Sequence, residues 1–316
     1  MLFVNIFAVV YKYSVLNLNL VRFFYFFMTN FNFVFNMSPK IVYLFGVFVN
    51  ILTMNIIKYA GLNGILTISE IICLRTTFAI FLLLPFNIKE FSKIKTNGKI
   101  DKKIALYLLI LGIIAGMSSY FWNIGLQTVP VNNAMILLFL SPIITAFISH
   151  LMLGEEITKR IKLSFAINSF AIFLIYRFSF NGFNIGYLLI FGDFLIYAFV
   201  AILIKKLQIF SSNFLVFIRL LILLPFSWIV MHKVPDITGT VIIFISMITV
   251  GYIIERTCIT LAFKKIPIAE VQPLRYFNLV FSAILSFLVL SEPLTKWQVI
   301  GISIIVFGAF VIRKVK

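Results

Sequence analysis

Long runs of apolar residues, separated by short polar segments, dominate the chain from residue 41 onward. Most runs approach about 20 residues, the length an α-helix needs to cross the hydrocarbon core of a bilayer. Helix is the expected structure because lipid offers no partner for an unpaired backbone N–H or C=O. The pattern predicts an all-α integral membrane protein with ten transmembrane helices, at 41–60, 67–87, 104–123, 131–153, 163–177, 185–204, 213–231, 240–262, 268–290 and 297–313.

Composition supports the membrane interpretation. Of the 316 residues, 62% are hydrophobic and only 12% are charged, which is too little polar surface for a water-soluble domain. The net charge of +17 is also typical of nucleic-acid-binding proteins, but the basic residues lie in the gaps between apolar runs, as membrane topology requires. Nucleic acid is therefore not an expected partner. Cys73 and Cys258 lie in separate apolar runs and indicate neither a disulfide framework nor a metal site.

The segments between the predicted spans differ in charge on the two sides of the membrane. Alternate connections and the C-terminal tail carry 16 lysines and arginines, whereas the remaining connections carry four. The longest basic stretch, 87–103, lies between the second and third spans. Because loops rich in Lys and Arg stay in the cytoplasm, both ends of the ten-span body are predicted to be cytoplasmic.

Residues 1–40 differ from the rest of the chain. They are rich in aromatic residues and Asn and lack both a compact apolar core and a cleavage site of small residues, so they do not form a typical signal peptide. The segment is either an extra interfacial helix or sequence upstream of the true start, and the second interpretation, with Met37 as first residue, is favoured. The predicted organisation is this extension followed by two five-helix units, 41–177 and 185–314.

An internal repeat relates these two units and aligns the stretch 130–177, position by position, with 267–314. Thirteen of these 48 positions are identical, including Glu155 in "LMLGEEITK" and Glu292 in "LVLSEPLTK". Each unit holds five predicted spans, an odd number, so the second unit must enter the membrane from the other side. Inverted repeats are typical of secondary transporters, which bind substrate between the two halves. Both glutamates are expected at helix ends, capping the span that follows.

Two long stretches carry a family resemblance. "FWNIGLQTVPVNNAMILLFLSPIITAFISHLMLGEEIT" (121–158) and "LAFKKIPIAEVQPLRYFNLVFSAILSFLVLSEPLT" (261–295) resemble the EamA-type drug/metabolite transporters. Within that superfamily, "MNIIKY" (54–59), "GMSSYFWNIGL" (116–126) and "RYFNLVFSAI" (275–284) are similar to the S-adenosylmethionine uptake transporters. The resemblance implies a multi-pass carrier of the bacterial inner membrane that moves a small organic molecule by alternating access. Its expected partners are that substrate and membrane lipid, with homodimer formation left open.

Charged residues inside the predicted spans are the first candidates for substrate contact. Such residues are costly in lipid and normally face a cavity or a partner. Arg75, Arg219 and Arg275 are suited to hold a substrate carboxylate through paired guanidinium hydrogen bonds. Glu255 or Asp193 would then hold a cationic group or a coupling proton. The alternative is a set of buried ion pairs that lock helices together, such as Glu255 with Arg219 or Arg275.

Aromatic and small residues complete the candidate set. Trp122 and Tyr276 suit a planar base and a sulfonium or ammonium cation, although an interfacial belt for Trp122 and helix packing for Tyr276 stay open. Because adjacent helical residues point in different directions, at most one of Glu255 and Arg256 is expected to face a cavity. The small residues of the third span are expected to serve helix packing. They are Gly112, Gly116, Ser118 and Ser119.

The sequence favours transport over catalysis. His150 and His232 are isolated, and we find neither a nucleophile–base pattern nor a phosphate-binding loop, so no enzyme activity, cofactor or metal is expected. The leading hypothesis is a secondary carrier, with S-adenosylmethionine uptake as its most specific form. The alternative is an efflux carrier for amino acids or amphipathic drugs on the same fold. A non-transporting membrane protein is a remote alternative.

Overall fold

Ten α-helices longer than a single turn lie within the residues that the computed structural model describes, which are 37–96, 99–129, 137–175, 184–231, 235–290 and 295–312. They are α1 (Pro39–Leu62), α2 (Ile68–Asn87), α3 (Lys102–Thr128), α4 (Ser141–Leu153), α5 (Lys159–Ile175), α6 (Ile185–Lys206), α7 (Ser212–Val230), α8 (Gly239–Lys265), α9 (Phe277–Leu290) and α10 (Lys296–Ile312). Each predicted span overlaps one of these helices.

The chain divides into two compact units, 1–38 and 39–316. Residues 1–36 lie outside the described part of the chain, so the extension and the choice of Met37 as first residue stay predictions. All ten helices belong to the second unit.

The predicted helical class is confirmed, and among the described residues six helices are long and apolar enough to cross a membrane. These six are α1, α2, α3, α6, α7 and α8. The helices α4 and α10 are apolar but shorter. A two-stranded pairing, Lys95–Thr96 with Lys99–Ile100, lies in the connection between α2 and α3. The full number of ten crossings stays a prediction.

Polar side chains at the connections begin several helices. Thr67 and Glu70 form a reciprocal capping box at the start of α2, which gives Glu70 a structural role at the helix end. Asp101 accepts hydrogen bonds from two backbone N–H groups of α3, and Ser211 caps α7 in the same way. These caps satisfy backbone donors that the first helical turn leaves without partners.

The principal helix pairs each join the first half of the bundle to the second. Helix α1 packs along α8, α3 along α6, α2 along α7 and α5 along α10. Small residues permit close approach, as predicted for the third span: a side chain at Gly112 would collide with Ile222 of α7. The two halves therefore share one interleaved core rather than two separate ones.

The repeat reappears in the helix boundaries and in a pair of contacts. Helices α3 and α8 are equal in length, as are α5 and α10, and the members of each pair begin at counterpart positions of the repeat. Ser164 donates a hydrogen bond to the carbonyl of Gly308 at 2.8 Å. Gly301, the counterpart of Ser164, lies against the carbonyl of Ala171, the counterpart of Gly308. This contact between α5 and α10 thus occurs a second time with the two helices exchanged.

The ninth predicted span is not one continuous helix, which corrects the expectation for 268–290. A single turn, Ile268–Val271, leads into a 3-10 helix, Gln272–Tyr276, and only then does α9 begin. Pro273 lies in the first turn of the 3-10 helix. A proline removes a backbone donor and clashes with the preceding turn, which disfavours a regular α-helix at this point. We call residues 268–276 the broken segment.

The corresponding span of the first half is also interrupted. Residues 137–138 are helical and residues 139–140 form a turn before α4 starts at Ser141, with Pro142 in its first turn. Residues 130–136 lie outside the described part of the chain.

Connections at one end of the bundle contact each other. Lys93, between α2 and α3, donates to the carbonyl of Ile209, between α6 and α7, at 3.3 Å. Lys264, at the end of α8, donates to the neighbouring carbonyl of Phe210 at 2.6 Å. These contacts gather the lysine-rich connections of the sequence at a single end, which we call the basic end.

Glu155 does not cap the helix that follows it, which corrects the sequence expectation. Its Oε2 accepts a hydrogen bond from the backbone N–H of Ala269, 114 residues away, at 3.0 Å. The start of α5 is capped instead by Thr158, whose hydroxyl accepts from the N–H of Ile161 at 3.4 Å. Glu292 lies outside the described residues, and its predicted role stays untested.

Candidate functional site

A cavity of about 430 Å³ lies between α1, α2, α3, α6, α8 and the broken segment. This volume is in the range that proteins use for small organic ligands. Its wall combines apolar and aromatic side chains with an unusual number of charges for a membrane interior. The charged residues on the wall are Lys58, Arg75, Asp193, Glu255, Arg256 and Arg275.

One group of charges is arranged around the ring of Tyr252. The guanidinium carbon of Arg75 lies 4.0 Å from the ring centroid, and that of Arg256 lies 5.2 Å from the same centroid. Tyr252 and Arg256 are one helical turn apart on α8 and so share a face, whereas Arg75 reaches the ring from α2. Glu255 Oε1 lies 3.6 Å from Arg256 Nε. We call these four residues the Tyr252 cluster.

The expectation that only one of Glu255 and Arg256 faces a cavity is wrong, since both lie on the wall. Neighbouring positions of a helix diverge by about 100° at the backbone. The long stem of arginine lets its head group reach around the helix to the carboxylate beside it. Backbone direction alone therefore does not decide where a long side chain ends.

A second group surrounds the ring of Tyr197. The guanidinium carbon of Arg275 lies 4.3 Å from that ring centroid, and Arg275 Nη1 donates to the hydroxyl of Ser141 at 2.9 Å. Asp193, one turn before Tyr197 on α6, accepts a short hydrogen bond from Ser118 of α3. Asp193 is only 8% exposed. We call Asp193, Ser118, Tyr197 and Arg275 the Tyr197 cluster.

Four of the six predicted site residues lie on the cavity wall. They are Arg75, Trp122, Glu255 and Arg275. Arg219 and Tyr276 are not among the wall residues of this cavity. Tyr276 is fully buried, and its hydroxyl donates to the carbonyl of Phe139 at 3.0 Å. The structure thus gives Tyr276 a packing contact.

Sequence reasoning did not select Tyr197 and Tyr252, and it assigned Ser118 to packing. The available signal was spacing, because each tyrosine lies four residues from an intramembrane charge: Tyr197 from Asp193 and Tyr252 from Arg256. Positions four apart share a helix face, so when a charged residue faces a cavity, the residue four positions away faces it as well. Ser118 offered no such signal, because its partner is on another helix.

The wall carries more positive than negative charge. Three arginines face it with two carboxylates, and Lys58 adds a further positive charge. The Nε atoms of Arg75 and Arg256 are buried without a hydrogen-bond partner among the described residues. Buried donors without partners are costly, so this part of the wall is suited to an anionic group such as a carboxylate. Asp193 and the tyrosine rings are suited to a cationic or flat group.

The cavity reaches one end of the bundle and not the other. Lys58 and Ile68, which flank the connection between α1 and α2, are exposed and belong to the wall. Toward the basic end the wall finishes at Tyr43, which is fully buried and lies 6.0 Å from the ring of Phe263. The opening is therefore at the end opposite to the basic end.

The described residues contain no group of three or more His, Cys, Asp or Glu side chains placed to hold a metal ion.

Comparisons with known proteins address the fold and the family. A family model described as the EamA-like transporter family matches the chain twice, over 41–177 and 184–314. A search of curated proteins finds no match. A solved structure titled "Crystal structure of protein" aligns with a TM-score of 0.71 and 15% sequence identity, covering 89% of this chain and 99% of that chain. At this identity the alignment shows a shared fold.

Proposed function

Because the chain belongs to the EamA-like transporter family, we propose that it is a secondary transporter that moves a small organic metabolite by alternating access. The observation that carries the proposal is the cavity with the Tyr252 and Tyr197 clusters, which is open at one end and closed at the other. A membrane interior tolerates this many ionisable groups only where they serve a pathway or pair with one another. Membrane location and transport agree with the prediction from the sequence.

The architecture we propose is ten crossings arranged as two inverted five-helix repeats, 41–177 and 185–314. The exchanged contacts between α5 and α10 support it, because a two-fold relation requires each contact to occur twice. The match of one family model to both halves supports it as well. With the basic end in the cytoplasm, the cavity faces the outside. The bacterial inner membrane is the proposed location.

The substrate we propose carries a carboxylate together with cationic and aromatic parts, and S-adenosylmethionine uptake is the leading form. The carboxylate binds between Arg75 and Arg256. Asp193 meets one of the cationic groups, and the tyrosine rings and Trp122 stack on the base. Both carboxylates of the wall are needed for such a substrate, since it bears two positive charges. Arg275 holds the Tyr197 cluster in place and contacts the substrate.

Uptake of labelled S-adenosylmethionine into cells that produce the protein tests this function. Cells with the unaltered chain should accumulate label, and the Arg275→Ala variant should lose uptake while it is still inserted in the membrane. Arg219→Lys is a control that keeps the positive charge of an intramembrane arginine outside the wall residues of this cavity, and it should retain uptake. Undiminished uptake by Arg275→Ala would show that Arg275 does not contribute to substrate binding. If cells with the unaltered chain import no label and instead show raised resistance to a toxic amino acid, efflux is favoured.

A further inference from the structure

Four contacts at the basic end join the first half of the bundle to the second. Lys40 Nζ lies 2.6 Å from Glu270 Oε1. The carboxylate of Glu155 accepts from the N–H of Ala269, as described above, and Glu90 Oε2 accepts from the N–H of Ser211 at 3.0 Å. The fourth contact is the bond from Lys93 to the carbonyl of Ile209. In each contact the charged side chain of the first half meets a group of the second half.

Two of these contacts, Lys40–Glu270 and Glu155–Ala269, lie near the closed end of the cavity. Lys40 is three residues before Tyr43 on the same face of α1, and Tyr43 is where the cavity wall finishes. Ala269 and Glu270 lie in the broken segment, which also carries Arg275 of the Tyr197 cluster. A movement of either half at this end is therefore transmitted over one or two helical turns to residues on the cavity wall.

These contacts are of a kind that can open and close. The side chains of Lys40 and Glu270 are 29% and 17% exposed, so water reaches the pair and replaces it at small cost. Two further contacts are single hydrogen bonds between a carboxylate and one backbone N–H.

The broken segment contains a polar group that this arrangement leaves without a partner. Gln272 is fully buried, and neither its Oε1 nor its Nε2 has a hydrogen-bond partner among the described residues. Buried amides are nearly always hydrogen-bonded in native proteins, and an unpaired one needs an explanation. The broken segment is therefore not fully satisfied by its surroundings in the described part of this arrangement.

We propose that Lys40, Glu90, Glu155 and Glu270 form a latch that holds the basic end closed while the cavity is open at the other end. The latch breaks when the cavity opens toward the basic end, and it forms again when substrate has left. This inference rests on the proposed function, because a latch has a role only in a protein that alternates between two openings. Glu155 and Glu270 act as positioning residues, since they do not touch the cavity.

A reversible cross-link across the latch is the decisive experiment. Cysteines replace Lys40 and Glu270 in a chain whose own buried thiols are removed by Cys73→Ala and Cys258→Ala. A bifunctional methanethiosulfonate reagent then joins the two positions, and a reducing agent releases them. The matched control joins Lys205→Cys to Ile266→Cys, two positions of the second half that are also in contact at the basic end. Cross-linking should stop uptake only in the first pair, and reduction should restore it.

A second measurement works without any substrate. Asn50→Cys places a thiol on the cavity wall, and a membrane-impermeant maleimide is applied from either side of sealed vesicles. The cross-linked protein should be labelled only from the side opposite to the basic end, and a chain that carries Asn50→Cys but keeps Lys40 and Glu270 should be labelled from both sides. Labelling of the cross-linked protein from the basic-end side, or uptake at the rate of the reduced protein, would overturn the latch.

Charge exchange separates the latch from the transport proposal. Lys40→Glu or Glu270→Lys alone should increase labelling of Asn50→Cys from the basic-end side by about two- to fivefold, the effect expected of one partly exposed ion pair. The double variant should return labelling to the unaltered level. If the labelling follows this pattern but no tested compound is taken up, the latch is supported and the proposed substrate is rejected. If uptake occurs but neither charge exchange changes the labelling, transport is supported and the latch is rejected.

Discussion

Tyr276 donates a hydrogen bond from its hydroxyl to the carbonyl oxygen of Phe139, the residue 137 positions before it, at 3.0 Å. The two rings stack with their centroids 5.7 Å apart and an angle of 24° between their planes. Because the same separation relates the two copies of the repeat, each residue here contacts its own counterpart. Counterparts meet in this way where a two-fold axis passes between them. The contact is thus further support for the inverted repeat.

This relationship predicts that Tyr276→Phe affects stability and leaves substrate binding unchanged. The substitution keeps the stacked ring and removes the donor, so a buried carbonyl loses its partner at a cost of about 1–3 kcal/mol. Thermal unfolding of the purified protein should show a lower transition temperature, while the KM for uptake stays the same. A raised KM with unchanged stability would return Tyr276 to the binding site.

Close packing between α5 and α10 predicts a large difference between two glycine substitutions. A methyl group at Gly301 would collide with the side chain of Ile175, and overpacking of this kind costs about 1–3 kcal/mol. A methyl group at Gly61, near the end of α1, meets nothing within 4 Å. Thermal unfolding should therefore show Gly301→Ala as destabilised and Gly61→Ala as unchanged or more stable. Equal stability of the two variants would contradict the packing of α5 on α10.

The ring of Tyr252 is predicted to matter more for transport than its hydroxyl. Tyr252→Phe keeps an aromatic face for Arg75 and Arg256, whereas Tyr252→Leu removes it. Loss of a desolvated cation–π contact, worth about 1–2 kcal/mol, should lower kcat/KM by about tenfold for the leucine variant. The phenylalanine variant should stay close to the unaltered protein. Equal losses in both would assign the role to the hydroxyl instead.

Asp193 is predicted to act through its charge and not through its shape. Asp193→Asn retains an oxygen that accepts from Ser118 and removes a buried negative charge, so the variant should be at least as stable in thermal unfolding. Uptake of a substrate with a cationic group should nevertheless fall sharply. A neutral competitor that binds the cavity should bind both proteins equally well. Retained uptake of the cationic substrate would show that Asp193 serves only to join α3 and α6.

Part of the candidate site could be predicted because a charged residue in an apolar run must face a cavity or a partner. Arg75, Glu255 and Arg275 lie in segments where lipid would surround them unless they faced a cavity, and all three are on its wall. Arg219 meets the same criterion and lies elsewhere, since burial between helices satisfies the criterion equally well. For Tyr252 the sequence offered only the spacing of four residues from Arg256, and the structure adds that Arg75 approaches its ring from another helix.

The sequence by itself determined the class of protein, the approximate positions of most helices and the repeat that relates the two halves. These follow from the sequence alone, because an apolar run in lipid must be helical and a repeat is visible as identical residues at a fixed separation. Only the tertiary structure decided which charges meet, where the cavity opens and that Glu155 crosses to Ala269 of the other half. Those features depend on the approach of segments that are far apart in the sequence, and no local pattern of the chain encodes that approach.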